Sequence, residues 1–285
     1  MQVNFYGKNI PFIEKSYFFA KKLMIKLIVS DIDGTLVNNK KEIPDSFWRI
    51  FKLIKEKDIR FCVASGRQMQ SLEKLFEPII SEIGFVSDNG AFVKFQEQEL
   101  YEIPITNDIK PILDACEQIK NIGVVVCGKK RAYIKTNSES IFQEIVRHYP
   151  SYQRVTDFST IDDTVFKISI CDKETSKINS YPQLKHFSKD FNVVISGNFW
   201  LDITHQKVNK GLALSELQKI WNVSPDETLV FGDQMNDIEM MQVAKFSYAM
   251  KNAESEVKKI ASFVTEYDNN NEGVIKKIEE LLTNT

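Results

Sequence analysis

Short apolar runs that end in small polar clusters recur along this chain. Ile25-Lys26-Leu27-Ile28-Val29 runs into Ser30-Asp31-Ile32-Asp33-Gly34-Thr35-Leu36. Ile59-Arg60-Phe61-Cys62-Val63-Ala64 ends in Ser65-Gly66-Arg67, and Ile83-Gly84-Phe85-Val86 ends in Ser87-Asp88-Asn89-Gly90-Ala91. Runs of this length and character predict buried strands. Between the first two, Phe47, Ile50, Phe51 and Ile54 have helical spacing behind an entry signal at Pro44. A second helix is expected through Leu72, Leu75 and Phe76. Strand, polar cluster and helix in repetition predict a parallel sheet with helices on its faces. Ligands of such sheets bind beyond the carboxyl ends of the strands, so the clusters are expected to converge.

The pattern changes in the middle of the chain. Helices are expected over 109–119, 140–148 and 176–189, and strands over 122–127, 131–135 and 164–171, with Gly128-Lys129-Lys130 as a hairpin turn. Strand ends here are not acidic. Residues 104–194 therefore read as an α+β module inserted into a sheet domain made of 24–103 and 195–285. Beyond the insert the first pattern resumes. A helix is expected over 210–221, with Asn209 as its N-cap and Leu214, Leu217 and Trp221 on one face. The apolar run Thr228-Leu229-Val230-Phe231 then ends in Gly232-Asp233-Gln234-Met235-Asn236-Asp237. Further elements are a helix over 238–243, a strand over 246–250, a helix over 254–260, a strand over 262–264 and a closing helix over 273–282. Residues 1–23 show no clear period and read as an N-terminal extension. Met24 opens the first strand directly and is the expected natural start, which intact mass from the native host would test.

Composition narrows the function classes. With 285 residues, 43% of them hydrophobic, the chain can bury a sizeable core, and a net charge of −2 offers no basic field to recruit nucleic acid. No stretch is long and apolar enough to span a membrane. Cys62, Cys116, Cys127 and Cys171 form no CxxC pair and read as reduced thiols of a cytoplasmic protein, with no zinc site.

The polar clusters carry the candidate chemistry. Two acids one residue apart at a buried strand end are costly without a positive partner, and Mg²⁺ suits hard carboxylate oxygens. Asp31 can serve as a nucleophile and Asp33 as a general acid and base, while Asp233 can complete a cation site. Ser65 and the Gly66 amide can donate to phosphoryl oxygens. Lys210 adds a full charge at a helix start that already favours anions. Singly, each has an ordinary reading: an acidic turn, a plain Ser-Gly turn, a solvated lysine, an acidic helix N-terminus. Their order and their strand or helix context carry the argument.

In that order the chain resembles the haloacid dehalogenase-like hydrolase superfamily. It is most similar to the Cof-type phosphatases, which carry a large α/β cap inserted after the third core strand. The residues that carry the likeness are Asp31-Ile32-Asp33-Gly34-Thr35-Leu36, Ala64-Ser65-Gly66-Arg67, Asn89-Gly90-Ala91, Val208-Asn209-Lys210-Gly211 and Gly232-Asp233-Gln234-Met235-Asn236-Asp237. Ala249-Met250-Lys251-Asn252-Ala253 and Glu272-Gly273-Val274 extend it. The resemblance implies an α/β fold, with a Rossmann-like parallel-sheet core and an inserted α+β cap. It implies that Asp31 is the nucleophile and a Mg²⁺ ligand, and that Asp33 is the general acid/base and a ligand through its backbone carbonyl. Asp233 would be the third ligand, supported by Asp237 through water. Phosphate would be held by the Ile32 backbone, Ser65, Gly66, Lys210 and Asn236. Two departures stand out: Ile32 where Leu or Phe is common, and Gln234-Met235 where smaller residues are common.

The expected function is a Mg²⁺-dependent phosphatase acting on small phosphorylated metabolites such as sugar phosphates, as a monomer or weak homo-oligomer, with neither nucleic acid nor membrane as partner. The alternatives are a phosphomutase of related fold, which needs a second phosphate pocket in the cap, and a non-catalytic metabolite-binding protein. Lys129, Lys130 and Arg131 offer a second anionic site, but a solvated hairpin tip is the preferred reading. Ser196, Asn198 and Trp200 are weaker cap candidates. His148, His186 and His205 follow no metal spacing and read as surface or satisfied histidines.

Overall fold

The computed structural model describes residues 24–283, together with the backbone of 3–5 and 8–10, where β1 (Val3–Phe5) pairs antiparallel with β2 (Lys8–Ile10). The rest of the expected extension, including residues 11–23, lies outside the described residues. The chain divides into two compact units, residues 1–64 with 210–285, and residues 65–209.

The first unit is built on five parallel strands. Their spatial order is β16 (Phe263–Val264), β15 (Phe246–Ala249), β14 (Thr228–Gly232), β3 (Leu27–Ser30) and β4 (Arg60–Ala64). The central strand is apolar without alternation because both its faces are covered. Leu27, Ile28 and Val29 are fully buried. Strands β14, β3 and β4 end level with one another, Ser30 lying beside Phe231 and Val63. The covering helices are α1 (Ser46–Glu56), α6 (Lys210–Trp221), α7 (Ile238–Gln242), α8 (Ser255–Ile260) and α9 (Gly273–Thr283). Helix α1 buries Phe47, Ile50, Phe51 and Ile54, the residues whose spacing predicts it. Phe47 stacks on Phe51 and also meets Phe61 of β4. Burying side chains of this size is worth about 1.5–3 kcal/mol each relative to exposure. The helix ends where Asp58 takes a positive φ of 54°.

The second unit contains an antiparallel meander of β5 (Gly84–Ser87), β6 (Phe92–Phe95) and β7 (Gln98–Glu102). Helix α2 (Met69–Leu75) precedes it. The unit also holds a six-stranded sheet ordered β10 (Tyr152–Arg154), β9 (Ala132–Lys135), β8 (Ile122–Gly128), β11 (Val165–Asp172), β13 (Trp200–His205) and β12 (Phe191–Gly197). Alternate residues of β8 enter two cores. Val124 and Val126 pack with Ile112 and Cys116 of α3 (Lys110–Glu117) and Leu184 of α5 (Ser180–Leu184). Val125 and Cys127 pack with Ile141, Phe142 and Ile145 of α4 (Glu139–Val146). The expected hairpin joins β8 to β9, closed by Gly128 N–H donating to Arg131 O.

Several elements differ from expectation. The helix expected over 176–189 is the single α turn of α5 followed by a 3-10 turn, Lys185–Lys189. Pro182 has no N–H to donate back to an earlier turn, so a helix that began at 176 could not continue through it; it sits instead in the first turn of α5, where that donor is not needed. Strands β6, β7, β10, β12 and β13 go beyond the expected set. Residues 194 and 195, where the expected insert ends, both lie inside β12, and β13 continues the same sheet by pairing with β11 and β12. All four cysteines are buried, and none of them is in a disulfide.

Candidate active site

The site in the first unit is assembled from the ends of β3 and β14 and the start of α6. After β3 the backbone makes one further sheet bond, Asp31 N–H to Phe231 O at 2.9 Å, and then turns back on itself. Three amides, those of Thr35, Leu36 and Val37, converge on the Ile32 carbonyl. Ile32, one of the two departures from the common pattern, is fully buried in the core. Gly34 has φ +82°, and a Cβ there would stand 2.4 Å from Asp233 Oδ2. Only glycine allows the turn to come this close.

Three carboxylates meet here. Oxygens of Asp31, Asp233 and Asp237 lie within 4.8 Å of one another, and all three residues are buried. One ammonium answers them: Lys210 Nζ donates to Asp31 Oδ1 at 2.6 Å and to Asp237 Oδ1 at 2.7 Å. Lys210 is only 1% exposed, and it is the first residue of α6. Asp237 spends its other oxygen on the Asp233 and Gln234 amides, at 2.8 and 3.0 Å. Asp233 accepts from Thr35 Oγ1 at 2.8 Å and from Gln234 Nε2 at 3.2 Å. Gln234 thereby has a definite role, its amide steadying a carboxylate of the cluster. Met235 is 49% exposed and makes no comparable contact.

The charge balance is unfavourable as it stands. Burial pushes the Asp31 carboxyl well above the usual range, Lys210 pulls it back, and Asp237 and Asp233 push it up again. Burial likewise raises Asp233 to about 6, against the hydrogen bond from Thr35. Burial alone would lower Lys210, but Asp237 and Asp31 outweigh it and the ammonium stays charged. Three buried carboxylates against one ammonium leave a negative surplus, which suits a divalent cation bound by oxygen. Asp31 places only its Oδ1 on Lys210, and each Asp233 oxygen accepts from one neutral donor, Thr35 or Gln234, so these two carboxylates fit that role. Asp237 has one oxygen on the Lys210 ammonium and the other on two amides, which fits support from one shell further out.

Asp33 stands apart from the buried trio. Its carboxylate is 36% exposed and accepts from Lys41 Nζ at 2.7 Å. Lys41 has φ 66° in the turn after the motif, and no sequence pattern marks it. Asn252 also goes unmarked by chemistry: its side chain donates to Gly34 O at 2.8 Å and accepts from Asn269 N–H at 3.1 Å. Asn236 is half-buried beside Asp237.

Ser65 and Gly66 belong to the second unit and directly follow β4. Ser65 is 2% exposed. Its amide donates to Val86 O and its carbonyl accepts from Asn89 N–H, both at 2.9 Å. In the same unit Lys129 is matched by Glu99 and Glu102 at 2.6 and 2.9 Å, and Lys130 Nζ donates to Asp162 O. Trp200 packs edge-on against His148. Ser196 and Asn198 are exposed. Among the described residues no helix is long and apolar enough to cross a membrane.

A family model described as haloacid dehalogenase-like hydrolase matches residues 28–278. The chain is 31% identical over 266 residues to the 5-amino-6-(5-phospho-D-ribitylamino)uracil phosphatase YbjI of Escherichia coli (strain K12), covering 91% of this chain and 97% of that protein. Among solved structures it resembles SMU.1108c from Streptococcus mutans UA159, with a TM-score of 0.80 and 32% identity over 91% of this chain and 99% of that one. A haloacid dehalogenase-like hydrolase from Bacteroides thetaiotaomicron superposes with a TM-score of 0.81 at 27% identity, over 90% and 99% of the two chains.

Proposed function

Because the chain belongs to the haloacid dehalogenase-like hydrolase family, we propose that it is a Mg²⁺-dependent phosphatase that hydrolyses small phosphorylated metabolites through an aspartyl-phosphate intermediate. The observation that carries this reading is the buried trio of Asp31, Asp233 and Asp237 around a single Lys210 ammonium. A carboxylate poised in this way is suited to attack, and binding alone would not call for it.

Asp31 attacks phosphorus through a carboxylate oxygen, and the bond to the leaving oxygen breaks as the new bond forms. Asp33, protonated, gives its proton to that leaving oxygen. It is exposed enough to exchange protons with solvent, and the Lys41 contact steadies its ionised form between steps. The ionised Asp33 then takes a proton from water, whose oxygen displaces Asp31 from phosphorus and frees inorganic phosphate. Lys210 balances charge on Asp31 throughout. Phosphoryl oxygens are assigned to the Ile32 amide, Ser65, the Gly66 amide, Lys210 and Asn236. Mg²⁺ would be held by Asp31, the Asp33 carbonyl and Asp233, with Asp237 in support, and would supply positive charge that offsets repulsion between Asp31 and the substrate's phosphate.

Sugar phosphates and similar polyol phosphates are the proposed substrate class, supported by the phospho-D-ribityl compound named for the Escherichia coli relative. A mutase would need a second free anion site. Lys129, the first lysine of the hairpin tip, is already neutralised by two glutamates, which favours the hydrolase. Asp31→Asn should lower phosphate release from an aryl phosphate by about 10³-fold or more, and chelating Mg²⁺ should do the same to the wild type. Turnover surviving either change would remove the covalent mechanism. A panel of phosphorylated metabolites then ranks substrates by kcat/KM.

A further inference from the structure

A lysine in the middle of an apolar strand is costly unless something holds its charge. Lys167 lies in Val165-Phe166-Lys167-Ile168-Ser169-Ile170 of β11 and is only 2% exposed. Its ammonium donates to the Gly66 carbonyl at 2.6 Å and stands 3.1 Å from Asp88 Oδ1 as an ion pair. Burial alone would lower its pKa, but Asp202 and Asp88 outweigh this and keep it charged. The direction of the side chain is built in. A bulge at Phe166 shifts the register between β11 and β8, so that Val165 faces Gly128 and Lys167 faces Cys127. Phe166 stacks on Phe92 of β6 with ring centroids 5.0 Å apart. Bulges re-aim side chains in this way.

What Lys167 touches gives it a purpose. The Gly66 carbonyl belongs to the Gly66–Arg67 peptide, and the N–H of that same peptide donates to Ser65 Oγ at 3.2 Å. A positive charge on the carbonyl oxygen polarises the peptide and strengthens its N–H as a donor. With a lone pair of Ser65 Oγ occupied, the hydroxyl proton is directed elsewhere. The turn is pinned from the other side as well. Asp88 N–H donates to Arg67 O and Asn89 N–H to Ser65 O, both at 2.9 Å, from residues held at positive φ of 49° and 59°. All these groups belong to the unit 65–209.

We propose that Lys167 is a positioning residue that acts through the Gly66–Arg67 peptide to orient the Ser65 hydroxyl toward a phosphoryl oxygen. This rests on the reading above that Ser65 binds phosphate. Removing Lys167 alone orphans the buried Asp88 carboxylate, so Lys167→Met is made together with Lys167→Met/Asp88→Asn, which removes both charges. Each is assayed with an aryl phosphate in the Ser65 and Ser65→Ala backgrounds, and the Mg²⁺ concentration for half-maximal activity is measured in parallel.

In the Ser65 background, kcat/KM should fall about 10- to 100-fold, mainly through kcat, as for a catalytic group slightly misplaced. The Mg²⁺ requirement should not move. In the Ser65→Ala background the same changes should cost about threefold or less, because the group they act through is gone. If the losses are the same in both backgrounds, or the double variant keeps wild-type kcat/KM, Lys167 has only a structural role and the proposal is overturned. If Ser65→Ala itself costs nothing, the phosphate reading of Ser65 fails and this proposal fails with it.

Discussion

Asp31 is held where it is least comfortable when charged. Its pKa is raised because burial outweighs Lys210, so the ionised carboxylate is a liability in the metal-free fold. Asparagine keeps the shape and removes the charge, and Lys210 retains Asp237 as its partner. Asp31→Asn should therefore raise the melting temperature of metal-free protein, by about 2–4 °C per kcal/mol relieved in a chain of this size. A lower melting temperature in a scan with chelator would show that Lys210 over-compensates the carboxylate. Much of this site was legible in the sequence. Asp31, Lys210, Asp233 and Asp237 each announce themselves by standing at the end of an apolar strand or the start of a helix, and they do meet. Lys41 was not legible as a neighbour of Asp33, nor Lys167 as a neighbour of Gly66, because one contact is made by a surface turn and the other follows from a bulge. Lys167 did carry a signal, since an ammonium amid Val, Phe and Ile must find a buried anion.

Among the elements, the short turn before β14 couples two segments. Ser224 and Glu227 form a capping box around Pro225, and Glu227 also pairs with Lys26 at 2.6 Å, next to β3. The Lys26 ammonium and the Ser224 donors hold the Glu227 carboxyl down at about 2, from 4.5. A group depressed in the folded state stabilises above its unfolded pKa and loses that contribution as pH falls through its folded value. Glu227→Gln should lower the melting temperature at neutral pH, and the gap to wild type should close between about pH 4.5 and pH 2. Melts across that range test it, and a gap that persists at the acid end would contradict the assignment. The elements legible in the sequence are those with one dominant period: the buried strands of the first unit and α1, α6 and α9. Strands β12 and β13 were missed for a physical reason. Asn192, Ser196 and Asp202 interrupt the apolar run, and residues 194–197 are exposed at a sheet edge, so neither a continuous run nor strict alternation appears.

At the level of the molecule, the carboxylate cluster couples metal binding to stability. A cation that binds only the folded trio stabilises by about 2.7 kcal/mol at a hundredfold excess over its Kd. Mg²⁺ should raise the melting temperature of the wild type, and Asp233→Asn should largely abolish the shift. An equal shift in that variant would place the ion elsewhere. The two compact units meet along the chain at Ala64–Ser65 and Asn209–Lys210, whereas the pattern along the sequence changes at about 104 and 194. The sequence pattern does not mark these limits, because the strand β13 continues the six-stranded sheet to His205.

The central strand β3 is also a problem of timing. One of its neighbours, β4, leaves the ribosome soon after it, but the other, β14, begins at Thr228. Asp31 waits 179 residues for Lys210. At about 5–20 residues per second, that is roughly 10–40 s of synthesis. Through that interval the nascent protein carries an unpaired apolar edge and an incomplete set of charges, so it is both open to sticking to its neighbours and unable to turn over substrate. The catalyst comes into being only once Lys210 and β14 have been made, and whatever shields that edge in the meantime governs how much enzyme the cell obtains.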